Sequence, residues 1–263
     1  MSDAATAMLV AAGTIAGLML VTWLVSLPLR NASIVDLIWG LGFVLVAWAV
    51  RLTVDGNNAR QWLLVGMVTV WGLRLSAYLT WRNHGNGEDY RYKAMRKQWG
   101  PRFWWVSLFT VFALQGVLMW TVSLSVQLGQ VPETPGLGVL AGIGVLVWAV
   151  GLTFEAVGDA QLARFKGDPA NAGKVMDQGL WRYTRHPNYF GDACVWWGIT
   201  LVAIESGLGA VGIVGAVVMT VLLRRVSGVT LLEKSLKKRR EGYEEYIART
   251  SPFVPRPPKR DPR

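Results

Sequence analysis

The sequence predicts an all-α, polytopic membrane protein, a bundle of about seven transmembrane helices. Hydrophobic residues make up 52% of the 263 residues and charged residues only 17%, which is less charge than soluble domains usually carry. Most of the apolar residues lie in runs that approach the length of about 20 residues needed to cross a membrane. The runs lack barrel-like alternation, and backbone groups in lipid must be satisfied internally, so the spans are predicted to be helices.

The predicted spans are apolar runs separated by polar or glycine-containing turns. They cover residues 5–28, 33–50, 61–81, 103–128, 136–158, 191–205 and 208–227. The sixth run is short. With the seventh it is predicted to form a helical hairpin that turns at Glu205, Ser206 and Gly207.

The distribution of charge predicts the orientation of the chain. The formal net charge is +10, but the basic residues lie between apolar runs, which indicates membrane loops and not a nucleic-acid partner. Loops 82–102 and 159–190 and the tail after 223 are rich in Lys and Arg, whereas 129–135 and 205–207 each carry a single acid. The positive-inside rule therefore places the N-terminus outside and the C-terminus in the cytoplasm.

The domain organisation is predicted to be simple. One membrane domain comprises residues 1–255, with a substrate half over 1–130 and a cofactor half over 136–255, followed by a basic, Pro-rich and extended tail over 256–263. Within the cofactor half, Val229, Leu232 and Leu236 recur at helical spacing among charges over 228–250, which predicts a helix along the inner membrane face. Cys194 is the single cysteine, so neither an intramolecular disulfide nor a Cys-based metal site is expected.

The most informative motif runs from Gly179 to Asp192. Pro187 is typical of the first turn of a helix, which places Asn188 and Asp192 one turn apart on one face. Cations beside free helix N–H groups predict a site for phosphate or carboxylate. The alternative is an interfacial cap with snorkelling arginines. The basic residues of this motif are Arg182, Arg185 and His186.

Two further groups flank this motif. Glu155 and Asp159 lie one turn apart at the inner end of the fifth span, and acids at membrane depth are costly and usually functional. They are candidates to accept hydrogen bonds from ribose or an amide, or alternatively to pair with arginines that orient the helices. The downstream group consists of Arg224, Arg225, Glu233, Tyr243 and Tyr246.

Together these groups resemble the C-terminal domain of the steroid 5α-reductases, and the whole chain more closely resembles the DUF1295 family of bacterial membrane proteins. The resemblance implies a seven-helix bundle in the bacterial inner membrane that holds NADPH from the cytoplasmic side. It implies cofactor contacts for Asp159, Asn188 and Asp192, a phosphate-side role for Lys166, and a cofactor arginine at Arg224 or Arg225. The remaining predicted cofactor-binding residues are Glu155, Arg182, Arg185, His186, Tyr189, Glu233 and Tyr243.

The Arg-His-Pro-x-Tyr core of the motif is also found in isoprenylcysteine and phospholipid methyltransferases, where it helps to bind S-adenosylmethionine. Those enzymes usually carry a doubled Glu after the last span, whereas this chain has Leu232-Glu233. Because the surroundings of the motif are basic, we expect NADPH to bind best, NADH second best and the cationic S-adenosylmethionine least well. A lipid methyltransferase and a non-catalytic lipid-binding membrane protein stay open as alternatives.

The substrate half contains the candidate catalytic residues Asp36 and Tyr78. Tyr78 shares a helix face with Arg74 and Arg82, and its phenol is a candidate proton donor. Asp36 is a candidate partner for Arg74, although Ser33-x-x-Asp36 is also an acidic version of a capping box. The expected reaction is hydride transfer from NADPH to an activated C=C bond of a hydrophobic lipid substrate, in a protein surrounded by membrane lipids.

Where the steroid enzymes have a proton-donating tyrosine, this chain has Trp71. This departure argues against a 3-oxo-steroid substrate. The stretch from His84 to Trp99 is rich in aromatics and cations, and it predicts either a lid over a cofactor or a solvated basic loop.

Overall fold

The computed structural model describes residues 2–132, 136–226, 233 and 242–259, and these residues form α-helices joined by short turns. The α-helices are α1 (Asp3–Leu29), α2 (Ile34–Leu37), α3 (Trp39–Arg51), α4 (Asn58–Asn83), α5 (Tyr90–Trp99), α6 (Phe103–Ser107), α7 (Leu114–Val122), α8 (Leu124–Gly129), α9 (Val139–Gly167), α10 (Pro187–Ile204), α11 (Ile213–Val221) and α12 (Tyr243–Arg249). Single 3-10 turns and two π-helical segments, Leu108–Ala113 and Leu222–Val226, connect several of them. In the described part of the chain, strand-like pairing is limited to an isolated bridge between Thr184 and Ser251.

Five helical stretches of the described chain are long and apolar enough to cross a membrane. They are Asp3–Leu29, Asn58–Asn83, Tyr90–Val122, Val139–Gly167 and Leu208–Val226. The chain is therefore an all-helical integral membrane protein, which confirms the predicted fold class. The number of seven spans and the orientation of the termini stay predictions.

The two other predicted spans have polar or irregular starts. The run 33–50 is divided at Ile38 into the four residues of α2 and the 13 residues of α3, and 13 residues make a helix only about 20 Å long. The run 191–205 lies within the 18-residue α10, whose first two turns contain Asn188 and Asp192.

The described chain divides into two compact units, of which the first comprises Met1–Gly142 and Ile199–Gly215. In its core, the rings of Phe43 and Trp71 pack edge to face at 5.6 Å. The helices α3 and α4 approach closely because Gly40 and Gly72 face each other. A Cβ added to either glycine would collide with the carbonyl oxygen of the other.

Also in the first unit, α1 packs against the helical stretch from Phe103 to Val122. A Cβ at Gly116 would lie 3.3 Å from Ile15. Nearer the start of α1, the indole of Trp120 donates a hydrogen bond to the carbonyl of Met8 at 3.1 Å. Later residues of the stretch thus face earlier residues of α1, so the two helices run antiparallel.

The second unit comprises Ile143–Gly198 and Ala216–Arg263. Here α9 and α10 approach closely at Gly151 and Gly191, where a Cβ on Gly191 would lie 2.5 Å from the carbonyl oxygen of Gly151. One turn further along α9, the rings of Phe154 and Phe190 pack edge to face at 5.2 Å. This contact brings the acids of α9 next to the start of α10.

The structure describes part of the C-terminal segment. Of the predicted helix over 228–250, the structure describes Glu233 and the residues from Gly242 onward, where α12 forms. The apolar residues Val229, Leu232 and Leu236, on which that prediction depended, lie outside the described residues.

Candidate functional site

Arg185 lies at the centre of a buried polar cluster in the second unit. Its side chain is 7% exposed and donates to both carboxylate oxygens of Glu233, at 2.7 and 3.2 Å. The guanidinium also donates to the backbone carbonyls of Ile247 at 3.1 Å and Thr250 at 2.5 Å. Four of its five N–H groups are therefore directed at protein acceptors. Arg185 holds the end of α12, and little of its hydrogen-bonding capacity is left for a ligand.

His186 is buried beside this ion pair, with its Nε2 3.1 Å from Glu233 Oε1. Burial lowers the pKa of His186 below its ordinary 6.5, although Glu233 acts in the opposite direction. A neutral imidazole must donate from Nε2 to the carboxylate, which leaves Nδ1 as an acceptor. Nδ1 is buried and has no hydrogen-bond partner among the described residues. A ligand N–H or O–H group would satisfy it.

Glu233 is held as a carboxylate. Burial raises its pKa, but the hydrogen bonds from His186 and Arg185 outweigh burial and bring the pKa to about 2. Burial and the charge of Glu233 raise the pKa of Tyr243 to about 12, so that side chain is a neutral phenol. Tyr189 stacks on His186 with parallel rings 5.3 Å apart. The structure thus brings Arg185, Glu233 and Tyr189 next to the buried His186 imidazole, and Tyr243 next to Glu233.

The C-terminal residues 251–259 pack against the motif. Thr184 donates from its hydroxyl to the carbonyl of Phe253 at 2.8 Å, and the backbone N–H of Arg185 donates to the carbonyl of Ser251 at 2.9 Å. The backbone N–H of Arg256 donates to the carbonyl of Tyr183 at 3.0 Å. In the predicted extended tail over 256–263, residues 256–259 are held in place, because Arg256 is bonded to the motif and the backbone N–H of Lys259 donates to the carbonyl of Arg249 at 2.9 Å. Residues 260–263 lie outside the described residues.

Tyr246 makes the second tie between α12 and the motif. Its hydroxyl donates to the carbonyl of Trp181 at 2.5 Å, and its side chain is 2% exposed. The indole of Trp181 in turn donates to the carbonyl of Gly158 on α9 at 3.0 Å. This chain of contacts fixes the motif between α9 and α12.

The two acids of α9 are both buried, Glu155 with 3% and Asp159 with 4% of its surface exposed. Asn188 donates from Nδ2 to Asp159 Oδ1 at 3.2 Å. Its own Oδ1 accepts from the backbone N–H of Tyr189 at 3.1 Å. The structure thus brings Asp159 and Asn188, two of the predicted cofactor residues, into direct contact.

A cavity of about 570 Å³ lies between the motif and the C-terminal segment, and we call it the cationic cavity. Its lining consists of Asp177, Gln178, Gly179, Arg182, Arg249, Thr250, Pro258 and Lys259. Arg249 is paired with Asp177 at 2.5 Å, so two of the three lining cations are not matched by a lining acid. The cavity therefore suits an anion.

The other predicted cations lie elsewhere on the second unit. Lys166 and Arg225 are exposed, and the guanidinium of Arg224 lies over the ring of Phe253, 5.4 Å from its centroid. Conversely, the sequence-based prediction missed Arg249 and Lys259 of the cationic cavity. No local motif marks these two residues, because the fold of the C-terminal segment brings them there.

In the first unit, Asp36 accepts from Arg91 at 2.7 Å and from the hydroxyl of Tyr92 at 2.8 Å. Asp36 thus pairs with Arg91 of α5, an arginine that the sequence-based prediction had not named as its partner. Of the stretch 84–99, predicted as a lid or a solvated basic loop, residues 90–99 form the helix α5, in which Tyr92 is only 5% exposed. The lid stays a prediction. Tyr92 is a candidate site residue, through its contact with Asp36, that the sequence-based prediction missed.

The alternative of a capping box at Ser33 is not formed. The Ser33 hydroxyl donates to Asn31 and accepts from the backbone N–H of Asp89 at 3.0 Å, and it does not cap α2. Tyr78 lies elsewhere, with the guanidinium groups of Arg74 and Arg82 over its ring, 5.4 and 5.7 Å from the centroid. Asp36 is therefore grouped with Tyr92, and Tyr78 with Arg74 and Arg82.

Within the described residues, no group of three or more His, Cys, Asp or Glu side chains is arranged to hold a metal ion. A family model for a protein of unknown function, DUF1295, matches residues 22–250 of the chain. The chain belongs to the DUF1295 family. No curated protein and no solved structure matches it.

Proposed function

We propose that this DUF1295 protein is an integral-membrane reductase that uses NADPH to reduce an activated C=C bond of a lipid. The cationic cavity is the observation that carries the proposal. Its volume of about 570 Å³ falls in the range of roughly 300–1,000 Å³ typical of small-molecule sites. Arg182 and Lys259 add positive charge beyond the Arg249–Asp177 pair, and this suits the phosphates of a dinucleotide.

Other buried polar atoms of the second unit fit the uncharged parts of the same cofactor. A dinucleotide has ribose hydroxyls and a carboxamide, which can donate hydrogen bonds. Buried Glu155 and Asp159 are suitable acceptors, as acids are in other dinucleotide sites, and His186 Nδ1 is a buried acceptor without a partner among the described residues. NADPH would supply a hydride there, and S-adenosylmethionine, which is cationic, would gain little from the cationic cavity.

The chain's own residues have separable roles in this proposal. Asn188 orients Asp159 through their hydrogen bond. Arg185 and Glu233 position the His186 imidazole and fix its tautomer. Reduction of a C=C bond also needs a proton, and a phenol can deliver one. Tyr78 and the Asp36–Tyr92 pair of the first unit are the candidates for that step.

A ligand-stability series on the full-length protein in detergent tests the proposal. NADPH, NADH and S-adenosylmethionine are compared at equal concentration, and NADPH should raise the melting temperature most, because a ligand that binds only the folded state stabilises it. Arg182→Ala should reduce the preference for NADPH over NADH about tenfold by removing a cation from the cavity. The matched control is Arg164→Ala, since Arg164 is exposed on α9 and does not line the cavity.

Each other outcome contradicts the proposal in a specific way. Stabilisation by S-adenosylmethionine alone would replace it with the lipid methyltransferase. Stabilisation by none of the three would leave the non-catalytic lipid-binding protein. An equal loss of NADPH preference in Arg164→Ala would mean that general surface charge, and not the cavity, attracts the nucleotide.

A further inference from the structure

Two cavities line the groove between α1 and the antiparallel stretch from Phe103 to Val122 in the first unit. The first, the apolar cavity, measures about 410 Å³ and lies between Ala12–Leu20 of α1 and residues 108–120. The second, the arginine cavity, measures about 560 Å³ and lies between Ser26–Arg30 and residues 100–107, with Ala32 and Arg96. On α1 the residues that line the arginine cavity come after those that line the apolar cavity, and on the antiparallel stretch they come before them. The two cavities therefore lie end to end in the same groove.

A pair of tryptophans lies close to the boundary between the two cavities, and one of the pair, Trp104, lines the arginine cavity. Trp23 falls between the α1 residues that line one cavity and those that line the other. Its ring stacks on Trp104 with centroids 6.5 Å apart, and its indole donates to the Trp104 carbonyl at 2.9 Å. Because tryptophans concentrate where headgroups meet acyl chains, the apolar cavity lies at acyl depth and the arginine cavity at headgroup depth.

The arginine cavity carries positive charge. Arg30 and Arg96 line it, and no acid is found in its lining among the described residues. Arg96 is already paired with Glu88, through bonds of 3.0 and 2.8 Å. The Arg30 guanidinium, in contrast, has no hydrogen-bond or ion-pair partner in the part of the chain that the structure describes. Arg30 is thus the cation available to an anionic headgroup.

The backbone of Arg30 supports a role for its side chain. Arg30 ends α1 in the left-handed conformation, with φ of 48° and ψ of 39°. Among the described residues other than glycine, only Arg30 has a positive φ. Glycine adopts this conformation without steric cost and is the usual residue at such a position. An arginine there accepts backbone strain, which is a pattern associated with functional sites.

We propose that this groove binds an anionic phospholipid, with its headgroup in the arginine cavity and an acyl chain in the apolar cavity. The free cation favours an anionic over a zwitterionic headgroup. The adjoining apolar cavity favours a membrane lipid over free phosphate, because only a lipid fills both. The site is separate from the cationic cavity of the second unit and does not depend on the reductase activity.

Delipidated full-length protein in neutral detergent provides the test. Native mass spectrometry and thermal shift compare phosphatidylglycerol with phosphatidylcholine of the same acyl composition, and with inorganic phosphate. Phosphatidylglycerol should bind most tightly, and Arg30→Gly should weaken it about tenfold through loss of a charge-assisted contact. Ala113→Trp, which fills the apolar cavity from its exposed rim, should weaken both lipids.

Arg30→Gly keeps the fold testable, because glycine relieves the left-handed strain and should leave the melting temperature of the lipid-free protein unchanged or raised. Arg102→Gly is the matched control, since Arg102 is exposed and does not line the cavity; it should retain the preference for phosphatidylglycerol. Equal binding of both lipids, equal losses in the two variants, or stabilisation by inorganic phosphate as large as that by the lipid would each overturn the proposal.

Discussion

Each compact unit contains a cluster in which an arginine meets a carboxylate that is distant in sequence, with a tyrosine beside them. In the first unit, Arg91 lies 55 residues from Asp36; in the second, Arg185 lies 48 residues from Glu233. Arg91 is 36% exposed and donates to carboxylates, whereas Arg185 is 7% exposed and also holds two backbone carbonyls.

The two clusters differ in how deeply the arginine is buried and in which groups accept its hydrogen bonds. A partly exposed ion pair contributes little stability, because solvent screens it. A buried arginine that satisfies backbone carbonyls is costly to remove, because those carbonyls lose their partner in a place that water does not reach. The first cluster should therefore contribute little to stability, whereas the second fixes the C-terminal segment.

The largest expected effect comes from removing the second cluster's arginine. Arg185→Ala should destabilise the protein by about 3–5 kcal/mol, as breaking a buried ion pair does, and expose the C-terminal segment to limited proteolysis. Arg91→Ala should cost less than about 1 kcal/mol. Thermal denaturation in detergent measures both, with exposed Arg182→Ala as the control close to Arg185. Equal losses in Arg185→Ala and Arg91→Ala would remove the distinction between the clusters.

A smaller effect is expected for the phenol that ties α12 to the motif. Tyr246→Phe removes only the hydroxyl that donates to the Trp181 carbonyl, and leaving a buried carbonyl unpaired should cost about 1–3 kcal/mol. Tyr183→Phe is the matched control, because Tyr183 is 45% exposed. The comparison is made by melting temperature. If Tyr246→Phe has the same melting temperature as the wild type, that hydrogen bond does not hold the C-terminal segment.

The smallest expected effect is the loss of stability that the His186 imidazole causes as the pH falls. Because burial lowers the pKa of His186 below 6.5, the unfolded chain binds the proton more readily, and stability should fall as the pH drops below about 6.5. Glu233, with a pKa of about 2 against an ordinary 4.5, adds a further loss as the pH falls from 4.5 towards 2.

Two matched variants isolate the histidine step. His186→Gln keeps a donor for Glu233 and should make the melting temperature less dependent on pH between pH 7 and 5. His84→Gln replaces the other histidine, which is exposed, and should leave the pH dependence unchanged. If the profile of His186→Gln keeps the wild-type slope in this range, the His186 imidazole is not the group that titrates.

The sequence by itself determined the class of fold and the position of most helices. Apolar runs such as 5–28 and 61–81 became α1 and α4, because lipid offers the backbone no alternative hydrogen-bond partners. The Pro187 signal also gave the start of α10 correctly, because proline suits the first turn of a helix and its missing N–H costs nothing there. These are local effects, and each can be read from neighbouring residues.

Only the tertiary structure decided which polar groups meet. Asp36 takes Arg91 and Tyr92 as partners, and residues 251–259 return to the motif through Thr184 and Tyr183. Arg249 and Lys259 reach the cationic cavity in the same way. Residue type shows that a buried charge or carbonyl needs a partner, but several arginines and carbonyls along the chain could supply it. The choice among them is fixed by which helices pack together, and glycines such as Gly40 and Gly151 set how closely they pack.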